Sequence, residues 1–191
     1  MLYYEKPIFE KYHPAGSSVM DKKSIILIGM PGCGKSTVGV LLAKAVCKRF
    51  LDTDLLIQQR EKKPLQVIIN TRGNLFFADC EEQAILAIRQ RGQVIATGGS
   101  VVYSDRAMLH LKSLGTVVFL DTPFPEIKKR LWNLKTRGIV LKKGQTLEDM
   151  YNERRPLYEK YADVAVHTGR MKTEQVVQTV VERTGLERCD L

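Results

Sequence analysis

The sequence predicts an α/β fold built on a mostly parallel sheet, and three observations carry that prediction. Short apolar runs of the kind buried on both faces recur at 24–28, 50–51, 93–96, 116–120 and 164–166. Between them lie stretches whose apolar residues repeat with the 3.6-residue period of a helix. Glycine, proline or a Ser/Thr suited to capping marks most of the boundaries. Strands alternating with helices imply right-handed crossovers and ligands at the carboxyl ends of the strands.

Taken in order, Ser24 to Ile28 (SIILI) is the first strand, stopped by Gly29. From Lys35 onward Val38, Leu41, Leu42, Ala45 and Val46 share one helical face. Phe50-Leu51 is a second short strand that runs into Asp52-Thr53-Asp54. Residues 55–91 read as helical with breaks at Pro64 and Gly73, and the last piece has Phe77, Ala84, Ile85 and Ile88 on its apolar side. Gln93 to Ala96 is the third strand; it gives way to Thr97-Gly98-Gly99-Ser100, after which Val101-Val102 resumes the apolar run. Strands at Thr116 to Leu120 and Val164 to Val166 bring the expected count to five. Further helices are expected near Ser104, Pro123 and Thr146 and after Thr173, where Val176, Val177, Val180 and Val181 form the buried face. Ser104, Thr146 and Thr173 are the expected N-caps, and Thr146 with Asp149 approximates a capping box.

The totals fit one domain. A chain of 191 residues, 44% hydrophobic and 27% charged, can bury a full core, and residues 24–191 are read as a single unit preceded by an N-terminal arm, 1–23. No apolar run approaches the ~20 residues of a membrane helix. The net charge of +9 comes from cations scattered among acids rather than from one block, which argues against nucleic acid and for a solvated basic surface or a small anionic ligand. Cys33, Cys47, Cys80 and Cys189 show neither C-x-x-C pairing nor zinc-type spacing, so neither a disulfide framework nor a zinc site is expected, and a reducing cytoplasm is the default location. A monomer is the expected state, with a homodimer left open.

Gly29-Met-Pro-Gly-Cys-Gly34-Lys35-Ser36 satisfies G-x-x-x-x-G-K-[ST] between a buried strand and an amphipathic helix, the context that gives the pattern meaning. Glycines let backbone N–H groups turn inward around phosphates, and the helix N-terminus adds partial positive charge. Gly32, Cys33, Gly34, Lys35, Ser36 and Thr37 are therefore predicted to bind ATP, with Lys35 on the outer phosphates and Ser36 on Mg²⁺. Cys33 is read as a small loop residue whose thiol, near a helix N-terminus, has a redox role as its alternative. Asp52 and Asp54 stand at the carboxyl end of the second strand, where one carboxylate can serve the metal and the other an acceptor hydroxyl, or where Asp54 simply caps a helix. Gly98 and Gly99 end the third strand on the same edge, and either admit a ligand against the backbone or form a tight turn.

These features together resemble the shikimate kinase family, a branch of the nucleoside-monophosphate-kinase-like P-loop proteins. The resemblance runs from about Ser24 to about Glu182 and rests on GMPGCGKSTVG, FLDTDLLIQQR, the Gly98-Gly99 pair and NERRPLYEKYAD at 152–163. It implies a three-layer α/β/α P-loop fold with a five-stranded parallel sheet in the order 2-3-1-4-5, a mobile lid, and transfer of the ATP γ-phosphate to a hydroxyl of shikimate or a related hydroxy acid. By resemblance Asp52 belongs with Ser36 on the metal side, Asp54 with the acceptor hydroxyl, and Arg154 with the acceptor carboxylate, alongside Gly98, Gly99 and Ser100. Arg137, in the polar connection 135–145, is implied as the lid arginine and Arg130 as the residue against adenine, with Arg170 a weaker candidate for that place. Lys35, Asp54 and Arg137 would be the catalytic set.

The pattern departs from the family at three places. Alanine, Ala78, follows Phe77 where members usually carry an arginine; Ser100 replaces a third glycine; and Arg137-Gly-Ile-Val-Leu141 replaces Arg-Pro-Leu-Leu. All three touch the acceptor or the lid, whereas the phosphate loop is intact. Two alternatives follow: a kinase for another hydroxylated acid of the homoserine or gluconate type, and a nucleotide-binding regulator without catalysis.

Overall fold

The structure is a computed structural model and describes residues 23–131, 142 and 144–189. Residues 1–22 of the expected arm (1–23) and most of the 135–145 connection, including Arg137 of the expected lid, lie outside the described residues. Five strands, β1 (Ser24–Ile28), β2 (Arg49–Asp52), β3 (Gln93–Ala96), β4 (Gly115–Asp121) and β5 (Val164–His167), form one sheet in the order β2-β3-β1-β4-β5. Every pairing is parallel, with Ile26 of β1 opposite Ile95 on one side and Val117 on the other. All five expected strands and their predicted order are present.

Seven α-helices are described: α1 (Lys35–Ala45), α2 (Thr53–Glu61), α3 (Leu65–Leu86), α4 (Asp105–Leu114), α5 (Phe124–Leu131), α6 (Leu147–Tyr161) and α7 (Thr173–Thr184). They cover both faces of the sheet and complete three α/β/α layers. In β1, Ile25, Ile26, Leu27 and Ile28 are all essentially inaccessible, which is why the run shows no polar alternation. Each such side chain contributes about 1.5–3 kcal/mol on burial. A second, smaller core lies away from the sheet between α2 and α3, made by Ile57, Ile68, Ile69, Phe77, Cys80 and Ala84. Within α3 the backbone leaves helical geometry at Gly73 (φ 81°, ψ 171°), the expected break, in a region that favours glycine.

Two caps are as expected: Ser104 accepts from the Ala107 N–H, and Thr146 forms a reciprocal capping box with Asp149. Three expectations are corrected. The cap of α7 is Lys172, and Thr173 is the first helical residue. Val101-Val102 does not resume a strand but enters a 3₁₀ turn, Val101–Tyr103, with both valines buried. Cys47 and Cys189 form a disulfide across 142 positions, with the tail laid along the end of α1 so that the Cys189 N–H donates to the Ala45 carbonyl. Pairing of that span is set by where the tail packs, which cysteine spacing does not encode. Among the described residues no helix is long and apolar enough to cross a membrane.

Candidate active site

The carboxyl ends of β1, β2 and β3 open on one cavity of about 720 Å³, lined by the phosphate loop, Asp54, Glu81 and the 97–100 segment. The loop wraps there because three of its glycines have positive φ: Gly29 (144°), Gly32 (79°) and Gly34 (100°). At Gly29 the constraint is also steric, since a Cβ would stand 2.9 Å from the Leu120 carbonyl oxygen. Lys35 is 9% exposed and bends back over the loop, its ammonium donating to the carbonyls of Gly29 (2.9 Å) and Met30 (3.0 Å). Cys33 is buried beneath it.

The first helical turn after the loop faces the end of β2. Ser36 Oγ donates to Asp52 Oδ2 at 2.7 Å, and Asp52 Oδ1 accepts from the Asp54 N–H at 3.0 Å. Asp52, not Asp54, is thus the N-cap of α2. Asp54 is left free for other work, recessed in the cavity. Burial pushes its carboxyl up to about 6, with Asp52 adding to the shift and Lys35 opposing it. Between them Thr53 is fully buried, and its hydroxyl accepts from the Gly98 N–H at 3.1 Å, tying β2 to the strand end opposite.

What comes close to the two glycines is protein. A Cβ on Gly98 would stand 2.0 Å from Glu81 Oε1 and 3.0 Å from Asp54 Oδ1; one on Gly99 would meet Pro31 at 2.8 Å and an Arg154 guanidinium nitrogen at 3.2 Å. The omitted side chains therefore let Glu81, Asp54 and Arg154 gather at one strand end. Tyr158 fixes that end from α6 by donating to the Gly99 carbonyl at 2.6 Å. Arg154, one turn earlier and 2% exposed, donates to Tyr103 Oη at 3.3 Å with its guanidinium over the Tyr103 ring. Arg155 points elsewhere and pairs with Asp121 and Glu159, so the two consecutive arginines serve different faces of the helix.

Glu81 ends the Gly73-to-Glu81 stretch in which Ala78 departs from the family, and the sequence assigns it no role, yet it is the most buried acid of the site. It sits on α3 in the stripe of Phe77, Cys80, Ala84 and Ile85, and a carboxylate at helical spacing within an apolar face was the available signal. Ser100 Oγ donates to its Oε2 at 2.5 Å, while Oε1 has no hydrogen-bond partner among the described residues. Burial pushes its carboxyl up to about 7, with Asp54 adding and the Ser100 hydrogen bond, Arg154 and Lys35 pulling down. Ala78 is exposed and lines an adjoining cavity of about 470 Å³ that shares Phe77, Glu81 and Ser100 with the first.

A family model for shikimate kinase matches residues 31–184, the greater part of the chain. The chain belongs to the shikimate kinase family. A shikimate kinase of Nitrosomonas europaea is 36% identical over 164 residues, covering 84% of this chain and 77% of that protein. One of Persephonella marina is 31% identical over 162 residues, covering 84% and 98%. Among solved structures, shikimate kinase from Acinetobacter baumannii in complex with shikimate superimposes with a TM-score of 0.79 at 28% identity, covering 86% of this chain and 93% of that one. A gluconokinase of Sinorhizobium meliloti shares the fold, with a TM-score of 0.52 at 17% identity.

Shikimate kinases are ATP-dependent phosphotransferases that act on an alcohol group and use Mg²⁺. The donor side of this member fits that chemistry. Ser36 and Asp52 present a pair of hard oxygen donors beside the loop, and among the described residues no cluster of three or more His, Cys, Asp or Glu could hold a metal. That sparse set suits Mg²⁺, which is normally held by one or two protein oxygens together with phosphates and water. Thr37 lines the same cavity, as does Arg130, which donates to the Gly32 carbonyl at 3.3 Å and pairs with Glu126. Arg170 is not brought into the cavity wall; Thr168 and Met171 line it instead, and the Arg170 backbone N–H is held by Glu126.

Proposed function

We propose that this shikimate kinase family member transfers the γ-phosphoryl group of ATP to a hydroxyl of shikimate or a closely related hydroxylated acid. The observation that supports this most directly is the meeting, around Gly98 and Gly99, of the Asp54 carboxylate, the buried Arg154 and Pro31 of the phosphate loop. Asp54 orients the acceptor hydroxyl and takes its proton; a carboxyl raised to about 6 is close to the poise a general base needs near neutral pH. Arg154, held by Tyr103 and standing against Gly99, binds the acceptor carboxylate through its fork of N–H donors. Lys35 leaves the loop carbonyls for the phosphates, and Arg137 is assigned to the lid that excludes water. Mg²⁺ held by Ser36 and Asp52 would neutralise phosphate charge during transfer.

A second acceptor, a hydroxylated acid other than shikimate, is favoured by Ala78, which removes a cation from beside Glu81 and leaves open space in its place. The partner is then a small anionic alcohol, with a monomer in the cytoplasm as the working setting. A coupled ADP-release assay across shikimate, homoserine and gluconate with a no-acceptor control tests the proposal. Turnover with shikimate alone supports the first reading and turnover with another acid the second. ADP release that no acceptor stimulates refutes both.

A further inference from the structure

Phosphoryl transfer as set out above leaves a line of polar contacts that ends on Arg154 without a role. Tyr103 closes the 3₁₀ turn that follows Gly98 and Gly99, and its one phenolic proton goes to Glu153 Oε1 at 2.9 Å. The phenol oxygen is thereby an acceptor toward Arg154, whose Nε–H donates to it at 3.3 Å. Glu153 is pinned in turn by the Lys142 ammonium on Oε1 at 2.6 Å and by the Gln145 amide on Oε2 at 2.7 Å. Gln145 Oε1 accepts from the Lys142 backbone N–H at 3.1 Å, which closes the group just ahead of α6. Tyr103, Lys142, Gln145 and Arg154 all line the smaller cavity that adjoins the phosphate-loop cavity, so the line runs along the acceptor side.

The direction of these bonds gives them a function. Glu153 and Arg154 are consecutive on a helix and cannot face each other, and the Tyr103 hydroxyl bridges them. Hydrogen bonds from Lys142 first, then from Tyr103 and Gln145, hold the Glu153 carboxyl below the usual glutamate value. An ionised acceptor draws the phenol proton toward itself and makes the phenol oxygen a stronger acceptor for the guanidinium. The ring adds a second hold, with the Arg154 guanidinium carbon 5.2 Å and the Lys142 ammonium 5.9 Å from its centroid. A planar fork that must meet a carboxylate with two parallel N–H bonds is sensitive to rotation of this kind. We infer that Tyr103 and Glu153 are positioning residues for the acceptor: Glu153, pinned by Lys142 and Gln145, fixes the Tyr103 hydroxyl, which fixes the angle of the Arg154 fork. The inference rests on the acceptor reading proposed above, in which Arg154 binds the acid's carboxylate.

Steady-state kinetics at saturating ATP test it, comparing wild type, Tyr103→Phe, Glu153→Gln and the double variant on shikimate and on gluconate, with the neutral amide of each acid as a competitive inhibitor. Phenylalanine keeps the ring beside both cations and removes only the hydroxyl. Y103F should raise KM for the acid that is turned over by about three- to tenfold, the worth of one hydrogen bond, with the KM for ATP unmoved. The Ki of the matching amide should stay where it is, because an amide offers Arg154 no charge to grip. E153Q still accepts from Tyr103 but lacks the charge, so it should raise the acid's KM by a smaller factor and add little in the Y103F background. An acid KM unchanged in Y103F overturns the inference, as does an equal rise in the amide's Ki, which would mark a merely structural role. A lower KM in E153Q also overturns it, since that is the sign expected if Glu153 only screens Arg154. Should Y103F fail to fold, the direction of the E153Q change decides alone. All these outcomes leave the acceptor reading standing; if neither acid stimulates ADP release from wild type, that reading falls and this inference with it.

Discussion

Replacing Glu81 by glutamine should make the ligand-free protein more stable at pH 8 and leave it nearly unchanged at pH 4.5. The ordinary glutamate value is 4.5, and in the folded protein burial lifts the Glu81 carboxyl to about 7. A raised carboxyl means that the native state holds the proton more tightly than the unfolded chain, so its contribution to stability is present at acid pH. It declines as the pH rises between those two values. At about 1.36 kcal/mol per pH unit the span corresponds to about 3 kcal/mol, an upper bound because Glu81 and Asp54 titrate together. Glutamine is close in shape, can accept from Ser100 and can donate toward Asp54, yet has no proton to lose. For a chain of this size 1 kcal/mol moves Tm by about 2–4 °C, so E81Q should gain up to about 6–12 °C over wild type at pH 8. Asp54, also raised, keeps a shallower slope in the variant. Thermal unfolding by circular dichroism between pH 4.5 and 8 measures this difference, in which groups common to both proteins cancel. A gap that stays constant with pH, or a variant that loses ground as pH rises, would refute the argument that the buried carboxylate is held against its solvation preference.

Gly98→Ala drives a methyl group into the Glu81 carboxylate and should cost about 1–3 kcal/mol, read as a lower Tm, together with a higher KM for the acceptor. An unchanged Tm would mean that the carboxylate swings aside freely. Asp52→Asn keeps a good cap for α2 and so should leave Tm within about 1 °C, since the change from Asp to Asn at an N-cap is nearly neutral; activity should then need several-fold more Mg²⁺. Superimposable Mg²⁺ titrations would remove Asp52 from the metal side. Ala78→Arg places a cation one helical turn from Glu81 and should lower KM for carboxylate-bearing acceptors about tenfold. No change for any acid tested would mean that position 78 does not communicate with the acceptor.

Much of the fold could be read from local pattern, because a parallel sheet buried on both faces leaves its strands as uninterrupted apolar runs. SIILI is an example, with all five residues buried. The phosphate loop was equally legible, since its chemistry depends on residues contiguous in the chain. The acceptor side was less so. That Gly98 yields space to Glu81, seventeen positions earlier, is a fact of packing between α3 and the end of β3, and no local period announces it. The division of labour between Asp52 and Asp54 likewise follows from one backbone N–H, which turns the first carboxylate into a cap and releases the second. Arg154 and Arg155 are alike as neighbours in sequence, and only the facing of α6 separates the one buried at the site from the one paired with Asp121. The Cys47–Cys189 pairing depends on where the tail packs, information the spacing lacks.

The posture of Lys35 has a consequence for how selectively the loop fills. Its ammonium already rests on the oxygens of Gly29 and Met30, so an arriving anion meets a cation that is occupied. Occupation is thus an exchange, in which a guest must outbid two carbonyl dipoles before it gains anything from the lysine. A single weak anion offers little advantage over those dipoles, whereas a chain of phosphates that also engages the loop amides does. The loop's own carbonyls stand in for phosphate oxygens against the lysine, which disfavours a lone weak anion while keeping the cradle in shape.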